Sequence, residues 1–422
     1  MKKQLEKLKK FWKLIFGRTG ILVFLLLVQA VILFGGFALI DKSAWIVNYT
    51  IGLLAVIILI YILNARSNSS FKLMWIILIL VVPVVGVAFY IFTRVQPGTA
   101  YISHRVNALI EEEKDYLTPH KDTLYDVYAE SKQECGFMQY LYKRGKYPVY
   151  SNASVKYFPL GEDKFQELLY QLERAEKFIF LEYFIVDKGI MWNRILRILA
   201  RKAREGVEVR FMYDGTCTLS LLPRNYPKRL EQLGIQCKIF APMRPFLSTH
   251  QNNRDHRKIA VIDGRAAFTG GVNLADEYIN AEQRFGYWKD AALRVEGDAA
   301  WNFTVMFLNF WNAFRPSETD YDAFRPMSLV TPVSDGIVQP YADSPLDEEP
   351  MAETVYLNIL AQAQRYVYIY TPYLAVGEEM LDALKNAAKR GVDIRLVLPG
   401  IPDKKLVFRL SRSYYLPLLR AG

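Results

Sequence analysis

The sequence predicts an α/β protein in which N-terminal transmembrane helices precede two copies of one domain, the second copy incomplete. Three observations lead to this prediction. Long charge-free windows lie near the N-terminus, strand-like and helix-like segments alternate further on, and one strand–helix–strand pattern occurs twice.

The charge-free windows come first along the chain, and they span residues 19–40, 43–65 and 73–93. Each is long enough to cross a bilayer core as a helix, which needs about 20 residues. Three buried core helices in succession would be unusual. The first window is too long for a signal peptide and lacks a small-residue cleavage site. We therefore expect a multi-pass protein of the cell membrane.

Positive charge is concentrated at the N-terminus. The net charge is +10, and residues 1–18 hold seven Lys or Arg against one Glu. This segment is interpreted either as a cytoplasmic anchor under the positive-inside rule or as a basic helix attracted to anionic lipids, and the two are compatible. The first is favoured. Nucleic-acid binding is disfavoured, because the basic residues adjoin a predicted span.

The same rule predicts which side of the membrane the remaining chain occupies. Arg66 and Lys72, between the second and third windows, are expected inside. Three crossings would then place everything after Arg94 on the outer face. Pro83 and Gly86 interrupt the third window, so a re-entrant segment is the alternative.

The repeated pattern defines the domains. "KFIFLEYFIV" is typical of a buried strand, "MWNRILRILARKAREG" of a helix that ends at Gly206, and "VEVRFMYD" of a second strand. "RYVYIYTPYLAV", "EEMLDALKNAAKRG" and "VDIRLVLPG" repeat the unit, with Gly391 lying 185 residues after Gly206. The boundaries predicted from this are a linker at 95–150, a first domain at 151–315, a connector at 316–350 and a truncated second domain at 351–422.

The chemistry is carried by "NRDHRKIAVIDGRAAFTGGVN" at 253–273. It contains His256, Lys258 and Asp263 in the pattern H-x-K-x-x-x-x-D, followed by Gly270, Gly271 and Asn273. If "KIAVID" is a strand, His256 and Lys258 share one face. An imidazole can attack phosphorus, and an ammonium beside it can stabilise the developing charge. The glycines allow close approach to a phosphate, and Asn273 adds a polar donor.

These motifs resemble the phospholipase D superfamily. "GYWKDAALRVEGDAAWNF", "TPY" and "RSYYLPLLRAG" extend the resemblance to bacterial cardiolipin synthases over nearly the whole chain. It implies a phospholipase D-type two-copy α/β sandwich. It also implies phosphatidyl transfer between two phosphatidylglycerol molecules, through a phosphatidyl-histidine, giving cardiolipin and glycerol without a cofactor or metal.

The resemblance also implies residue roles. His256 is a nucleophile or its acid/base partner, Lys258 binds phosphate and Asn273 lines the phosphate site. Asp263 completes the catalytic motif but is expected to hold the loop after the strand. The acid that orients the histidine is expected to be Asp290, with Glu282 second.

One position departs from the family pattern, because Asp255 precedes the histidine where Asn is usual. An acid here is expected either to raise the pKa of the imidazole or to face solvent.

The second copy is expected to carry a second H-x-K, near residue 441 by the spacing of the first. None occurs after Lys258 in the 422 residues, because His104, His120 and His250 all precede His256. Three explanations are open: a fragment of a full synthase, a short form completed by a homodimer or a complementing chain, and an inactive protein that binds anionic lipid. A phospholipase or a transferase with another acceptor alcohol is the alternative enzyme. Cys135, Cys217 and Cys237 form no metal or disulfide pattern.

Overall fold

The structure is a computed structural model. It describes residues 44–65, 69–94, 108, 116–117, 129, 132–242, 254–314, 320–326, 336–343 and 349–422. The described elements belong to two compact units, one near the N-terminus and one that contains the sheets. Each unit is described by itself.

Within its described residues, the N-terminal unit has three helices, which are α1 (Ala44–Asn64), α2 (Ser69–Val81) and α3 (Pro83–Arg94). Their apolar side chains form one cluster that includes Ile58, Ile79 and Tyr90. The predicted third window, 73–93, is divided between α2 and α3. Pro83 opens α3, at a position where its missing N–H costs nothing.

The membrane predictions fall partly outside the described residues, which exclude the basic segment 1–18 and the first window, 19–40. The side chains of α1 are described from Tyr49 onward. Among the residues that the structure describes, no helix combines the length and the apolar character needed to cross a membrane. The predicted spans are therefore not confirmed.

The larger unit is built on a seven-stranded mixed sheet with the order β1-β7-β6-β5-β2-β3-β4. Strands β2, β3 and β4 are parallel, and all other neighbours are antiparallel. The strands are β1 (Ala153–Phe158), β2 (Phe178–Tyr183), β3 (Glu208–Asp214), β4 (Ile235–Phe240), β5 (Ile259–Ile262), β6 (Ala266–Gly270) and β7 (Ala292–Gly297). The helices up to this point are α4 (Lys132–Gly145), α5 (Gly161–Glu173), α6 (Ile190–Arg204), α7 (Cys217–Ser220) and α8 (Tyr226–Glu231), and α9 (Asp298–Phe314) follows β7.

The predicted strand–helix–strand unit is confirmed as β2–α6–β3, with β2 and β3 parallel. All six residues of β2 are buried, as expected for a strand covered on both faces. Helix α6 packs its apolar stripe, which includes Trp192, Ile195 and Leu199, into the core. Gly206 follows the helix with a φ of 93° and turns the chain into β3.

Two hydrophobic cores cover the two faces of the sheet. Helices α5 and α6 contribute to the first core and α9 to the second, where Phe307 stacks on Phe180 with ring centroids 4.7 Å apart. Leu141, Tyr147 and Tyr150 are buried in the second core. The last part of the predicted linker is thus part of the globular unit.

The second copy reproduces the first at the level of its elements. They are α10 (Met351–Gln362), β8 (Tyr366–Tyr370), α11 (Glu378–Lys389), β9 (Asp393–Val397), α12 (Lys405–Ser413) and α13 (Tyr415–Leu419). Strands β8 and β9 form a parallel two-stranded sheet. Gly391 follows α11 with a φ of 92°, matching Gly206. The second unit thus has the same order of elements as the first.

Candidate active site

The H-x-K residues lie in the segment that leads into β5, and not on the strand itself as expected, because the strand begins only at Ile259. Both side chains nevertheless lie against Phe184. The ring centroids of Phe184 and His256 are 4.7 Å apart, and Lys258 Nζ lies 5.5 Å from the centroid of Phe184. Lys258 Nζ also donates a hydrogen bond to the His256 carbonyl oxygen. The two side chains are thus brought together by a shared aromatic ring.

The sheet topology assembles the rest of the site at the same edge. Phe184 follows the end of β2, Asn273 follows β6, and Asp290 precedes β7. Strands β7, β6, β5 and β2 are neighbours in this order, and each pair is antiparallel. The end of β2, the start of β5, the end of β6 and the start of β7 therefore lie at one edge of the sheet, beside His256. Asn273 is buried, and its Oδ1 accepts a hydrogen bond of 2.9 Å from the Ile185 N–H. It therefore ties β6 to the end of β2.

The glycine pair has a local packing role. A Cβ atom on Gly271 would lie 2.0 Å from Oδ1 of Asp290, and one on Gly270 would lie 2.5 Å from the Ala291 carbonyl oxygen. Gly270 also has a φ of 144°. The two glycines therefore allow the segment that carries Asp290 to pack against β6. A phosphate contact by their backbone stays a prediction.

Asp290 lies among positive charges. Its carboxylate accepts hydrogen bonds from the Ala291 N–H (2.8 Å) and Trp288 Nε1 (3.4 Å). Burial raises the pKa of Asp290, while the charges of Lys258 and Lys164 act to lower it. These interactions link Asp290 to the lysines of the site, and its role in orienting His256 stays a prediction. Glu282, the second candidate, is exposed on the loop before β7.

Lys164 is a site residue that the sequence reasoning missed. It lies on α5, is 2% exposed, and donates a hydrogen bond of 3.0 Å to Tyr183 Oη. Burial lowers its pKa to about 7, and the charge of Asp290 opposes that shift. The available signal was a lysine on the apolar stripe of an amphipathic helix, between Gly161 and Leu168.

The protonation states suit nucleophilic chemistry. Partial burial and the charge of Lys258 lower the pKa of His256 to about 4, although the residue as a whole is exposed. The imidazole is therefore neutral near pH 7 and keeps a free lone pair. Burial lowers the pKa of Lys258 to about 8, and Asp255 and Asp290 limit the shift. Lys258 is thus mostly cationic near pH 7.

Asp263, the last residue of the motif, lies at the opposite end of β5. The separation from Lys258 is about 16 Å at the usual rise of a strand. Its carboxylate accepts hydrogen bonds from three successive N–H groups, those of Glu176 (3.0 Å), Lys177 (2.8 Å) and Phe178 (2.9 Å). Asp263 therefore caps the start of β2, as its expected loop-holding role requires. At that distance it does not touch a group bound at His256, and its place in the catalytic set stays a prediction.

Asp255 is buried, so the expectation that it faces solvent is wrong. Its Oδ1 accepts a hydrogen bond of 3.0 Å from the Arg257 N–H, and it lies 3.6 Å from Arg257 Nε. Arg257 also pairs with the buried Glu182 at 2.6 Å. The charge of Asp255 acts to raise the pKa of His256, as expected, but burial and Lys258 outweigh it.

The second copy also reaches the site. The positive charge of Lys404 acts to lower the pKa of His256, and Lys404 Nζ lies 5.0 Å from the centroid of the Tyr373 ring. Tyr373 in turn donates a hydrogen bond to Asp403. Sequence reasoning assigned these residues no role. The only signal was their place in the segments after β8 and β9.

Comparisons with known proteins identify the family. The family model described as "Cardiolipin synthase, PLD-like domain" matches residues 168–286 and 356–422, and the model described as "Phospholipase_D-nuclease N-terminal" matches residues 53–94. A cardiolipin synthase of Alkalihalophilus pseudofirmus is 33% identical over 419 residues, which cover 96% of this chain and 81% of that protein.

Two further proteins are similar. An uncharacterized protein of Streptococcus mutans is 46% identical over 363 residues, which cover 86% of this chain and 78% of that protein. The crystal structure of phosphatidylserine synthase from Haemophilus influenzae covers 63% of this chain and 68% of that chain, with 14% identity and a TM-score of 0.45. On the sequence matches, the chain belongs to the cardiolipin synthase family of phospholipase D-like proteins.

Proposed function

We propose that the chain transfers a phosphatidyl group from one phosphatidylglycerol to another, through a phosphatidyl-histidine on His256. Its products are cardiolipin and glycerol. The observation that carries the proposal is the packing of the His256 imidazole and the Lys258 ammonium against one ring, at the sheet edge where the segments of Asn273 and Asp290 also emerge. A neutral imidazole can attack phosphorus, and a fixed cation beside it favours the transition state.

In the first step, a nitrogen of His256 attacks the phosphorus of phosphatidylglycerol. A P–N bond forms, the P–O bond to glycerol breaks, and the leaving oxygen takes a proton from a general acid. Lys258 and Lys164 supply positive charge to the non-bridging oxygens, and the polar Asn273 lies at the same edge. The shared ring of Phe184 excludes water from one side of the imidazole and so favours attack by lipid over hydrolysis.

In the second step, a hydroxyl of another phosphatidylglycerol attacks the same phosphorus. Its proton goes to the group that acted as the acid, the P–N bond breaks, and His256 returns to its neutral form. In the family this acid and base is the histidine of a second H-x-K. The 422 residues contain one H-x-K, so the acid in both steps is a group other than His256.

The proposal includes attachment to the membrane through α1, α2 and α3. Large apolar side chains on these helices are exposed, including Leu53, Leu63 and Leu80. Exposed apolar side chains in such number are favourable against lipid and unfavourable against water. The placement of the later domains on the outer face is part of the same proposal. Attaching membrane-impermeant thiol reagents to cysteines introduced after Arg94 tests it, and labelling from the cytoplasm alone would reverse the topology.

The central test supplies phosphatidylglycerol with a labelled phosphate to the full chain in detergent. Cardiolipin plus glycerol is the expected product, with a labelled adduct on His256 after a rapid acid quench. His256→Ala is expected to remove both. Lys228→Ala, an exposed change on α8, is the matched control and should leave both intact.

The pattern of products separates the alternatives. An adduct on His256 without cardiolipin would show that this chain completes only the first step and needs another group for the second. Labelled phosphatidic acid would identify a hydrolase. If neither adduct nor product forms with the wild-type chain, transfer by this chain alone is ruled out.

A further inference from the structure

Two consecutive helices of the second copy, α12 and α13, expose leucines. Leu406 and Leu410 on α12 are 79% and 49% exposed, and Leu416 and Leu419 on α13 are 56% and 78% exposed. Leu406 and Leu410 are four residues apart, so they lie on one face of α12. The remaining face of α12 packs inward through Ser411, which is buried. The leucines are therefore not part of the core that holds these helices.

The same helices are strongly basic. Residues 404–422 contain five Lys or Arg and no Asp or Glu. All five basic residues are exposed, and they are Lys404, Lys405, Arg409, Arg412 and Arg420. Exposed leucines beside positively charged side chains suit binding to a partner that has a negatively charged surface over an apolar interior.

The first copy shows that the fold does not require the two exposed leucines of α13. Tyr226, Leu230 and Gly234 align with Tyr414, Leu418 and Gly422 at a constant offset of 188 residues. In this alignment Lys228 corresponds to Leu416, and Glu231 corresponds to Leu419.

All four of these positions are exposed. The first copy thus keeps polar residues at the two positions where α13 carries exposed leucines. Both positions are exposed in both copies, so packing does not explain the leucines of α13.

The location of this surface relates it to the candidate active site. Lys404 directly precedes α12, and its charge acts on His256. Ile401, 60% exposed, lies just before it, and a Cβ atom on Gly286 would lie 3.1 Å from Ile401 Cδ1. The basic, leucine-bearing surface therefore begins at the rim of the site.

We infer that α12 and α13 form a docking surface for an anionic phospholipid bilayer, with the leucines inserted among the acyl chains and the basic residues at the head groups. Inserted leucine side chains gain from leaving water, and each surface Lys or Arg gains from the negative lipid charge. Docking in this way would bring the rim of the site to the level of the lipid head groups. The inference rests on the exposed surface alone and does not require that phosphatidyl transfer occurs.

The test uses the full chain in vesicles of equimolar phosphatidylglycerol and phosphatidylcholine, with a fluorophore on Leu406→Cys, Leu419→Cys or Glu231→Cys. Lipids brominated in the acyl chain are expected to quench the first two labels and not the third. The label at Glu231→Cys is the matched control, because this position is the counterpart of Leu419 in the first copy. The unmodified chain measures the background from Cys135, Cys217 and Cys237.

Two sets of variants check the cause. Arg409→Gln and Arg412→Gln are each expected to reduce the docked fraction of the Leu406→Cys label roughly fivefold. High salt or pure phosphatidylcholine should act in the same direction. The double change Leu416→Lys with Leu419→Glu installs the residues of the first copy, so folding should be retained while quenching at Leu406→Cys is lost.

The outcomes decide the inference without reference to turnover. No quenching at Leu406→Cys and Leu419→Cys, or equal quenching at Glu231→Cys, would overturn it. Quenching that is insensitive to phosphatidylglycerol and salt would overturn the role of the basic residues. A chain that forms no adduct on His256 still reports docking, so failure of the proposed transfer is seen separately.

Discussion

The two copies of the strand–helix–strand unit carry an arginine–aromatic pair at matching positions in two environments. In the first copy Arg210 lies 5.2 Å from the ring centroid of Phe180, its partner in the β2–β3 register. In the second copy Arg395 lies 4.9 Å from the ring centroid of Tyr368, its partner in the β8–β9 register. Phe180 is fully buried, whereas Tyr368 is 47% exposed.

The difference shows that local pattern and burial are set by separate causes. Strand β2 lies inside a seven-stranded sheet with helices on both faces, and all its residues are buried. Strand β8 pairs with β9 in a two-stranded sheet, and exposed and half-buried residues alternate along it. The sequence pattern determines that a strand–helix–strand unit forms. The number of neighbouring strands and helices determines how deeply each side chain is buried, and therefore how much it stabilises the unit.

The largest expected effect comes from removing the aromatic ring in each copy. Phe180→Ala should lower the free energy of unfolding by about 3–5 kcal/mol, because a fully buried ring that stacks on Phe307 is lost. Tyr368→Ala should cost less than about 1 kcal/mol, because its ring and its cation–π contact are solvent-exposed. Denaturant unfolding of the purified chain measures both, and equal costs would contradict the comparison.

The next prediction concerns charge, because the two copies differ at the end of the strand. The first copy buries Glu182 where the second exposes Tyr370 at 70%. Burial and the nearby Asp255 raise the pKa of Glu182 well above its ordinary value, against the effect of Arg257. Other titratable or charged groups surround this pair. Asp214 accepts a hydrogen bond from the Asp255 N–H and pairs with Arg254. Tyr147 acts on Arg257, and His256 and Lys258 lie in the same segment as Asp255.

The folded chain therefore binds the Glu182 proton more tightly than the unfolded chain does. The bound Glu182 proton therefore stabilises the folded chain. This stabilisation is fully present below the ordinary pKa of a glutamate, and it is lost as pH rises through the raised pKa. Glu182→Gln should flatten that decline in the free energy of unfolding. Glu231→Gln, which removes an exposed charge, is the control, and an unchanged slope in Glu182→Gln would refute the prediction.

A smaller effect is expected at Asp263, which helps to make β2 an interior strand by joining its start to the end of β5. Asp263→Ala removes the acceptor of three N–H groups and should cost about 1–3 kcal/mol. Asp263→Asn keeps one acceptor oxygen and should cost less. In both variants the folded chain should still form the labelled adduct on His256. Loss of the adduct with unchanged stability would place Asp263 in the catalytic set.

Much of the fold followed from the sequence, because its signals are local. The burial of β2, the helix that ends at Gly206 and the recurrence at Gly391 depend on short-range patterns, and each is seen in the structure. The antiparallel half of the sheet was not predicted, because β5, β6 and β7 are short and their pairing depends on residues far apart in the chain. The burial of Tyr147 and Tyr150 was missed for the same reason.

The site divides in the same way. His256, Lys258 and Asn273 were identified from one motif, and the sheet topology brings their segments to one edge. Lys164 and Lys404 carry no motif and reach the site only through the packing of α5 and the position of the loop after β9. The close packing of Gly271 against Asp290 could not be foreseen, because it is a contact between two separate turns.

The smallest expected effect comes from replacing the glycine that follows the helix in each copy, and it should be equal in the two copies. Gly206 and Gly391 have φ angles of 93° and 92°, and a Cβ atom on either would meet no atom within 4 Å. Gly206→Ala and Gly391→Ala therefore add backbone strain without a steric clash, and each should cost about 1–2 kcal/mol. Hydrogen exchange of the first amides of β3 and β9 measures the two costs locally, since the wild-type chain gives the baseline for each strand. Equal losses would show that the turn is independent of the sheet around it. A much larger loss in the first copy would mean that burial of β3 amplifies the strain, so that even this local element depends on the surrounding packing.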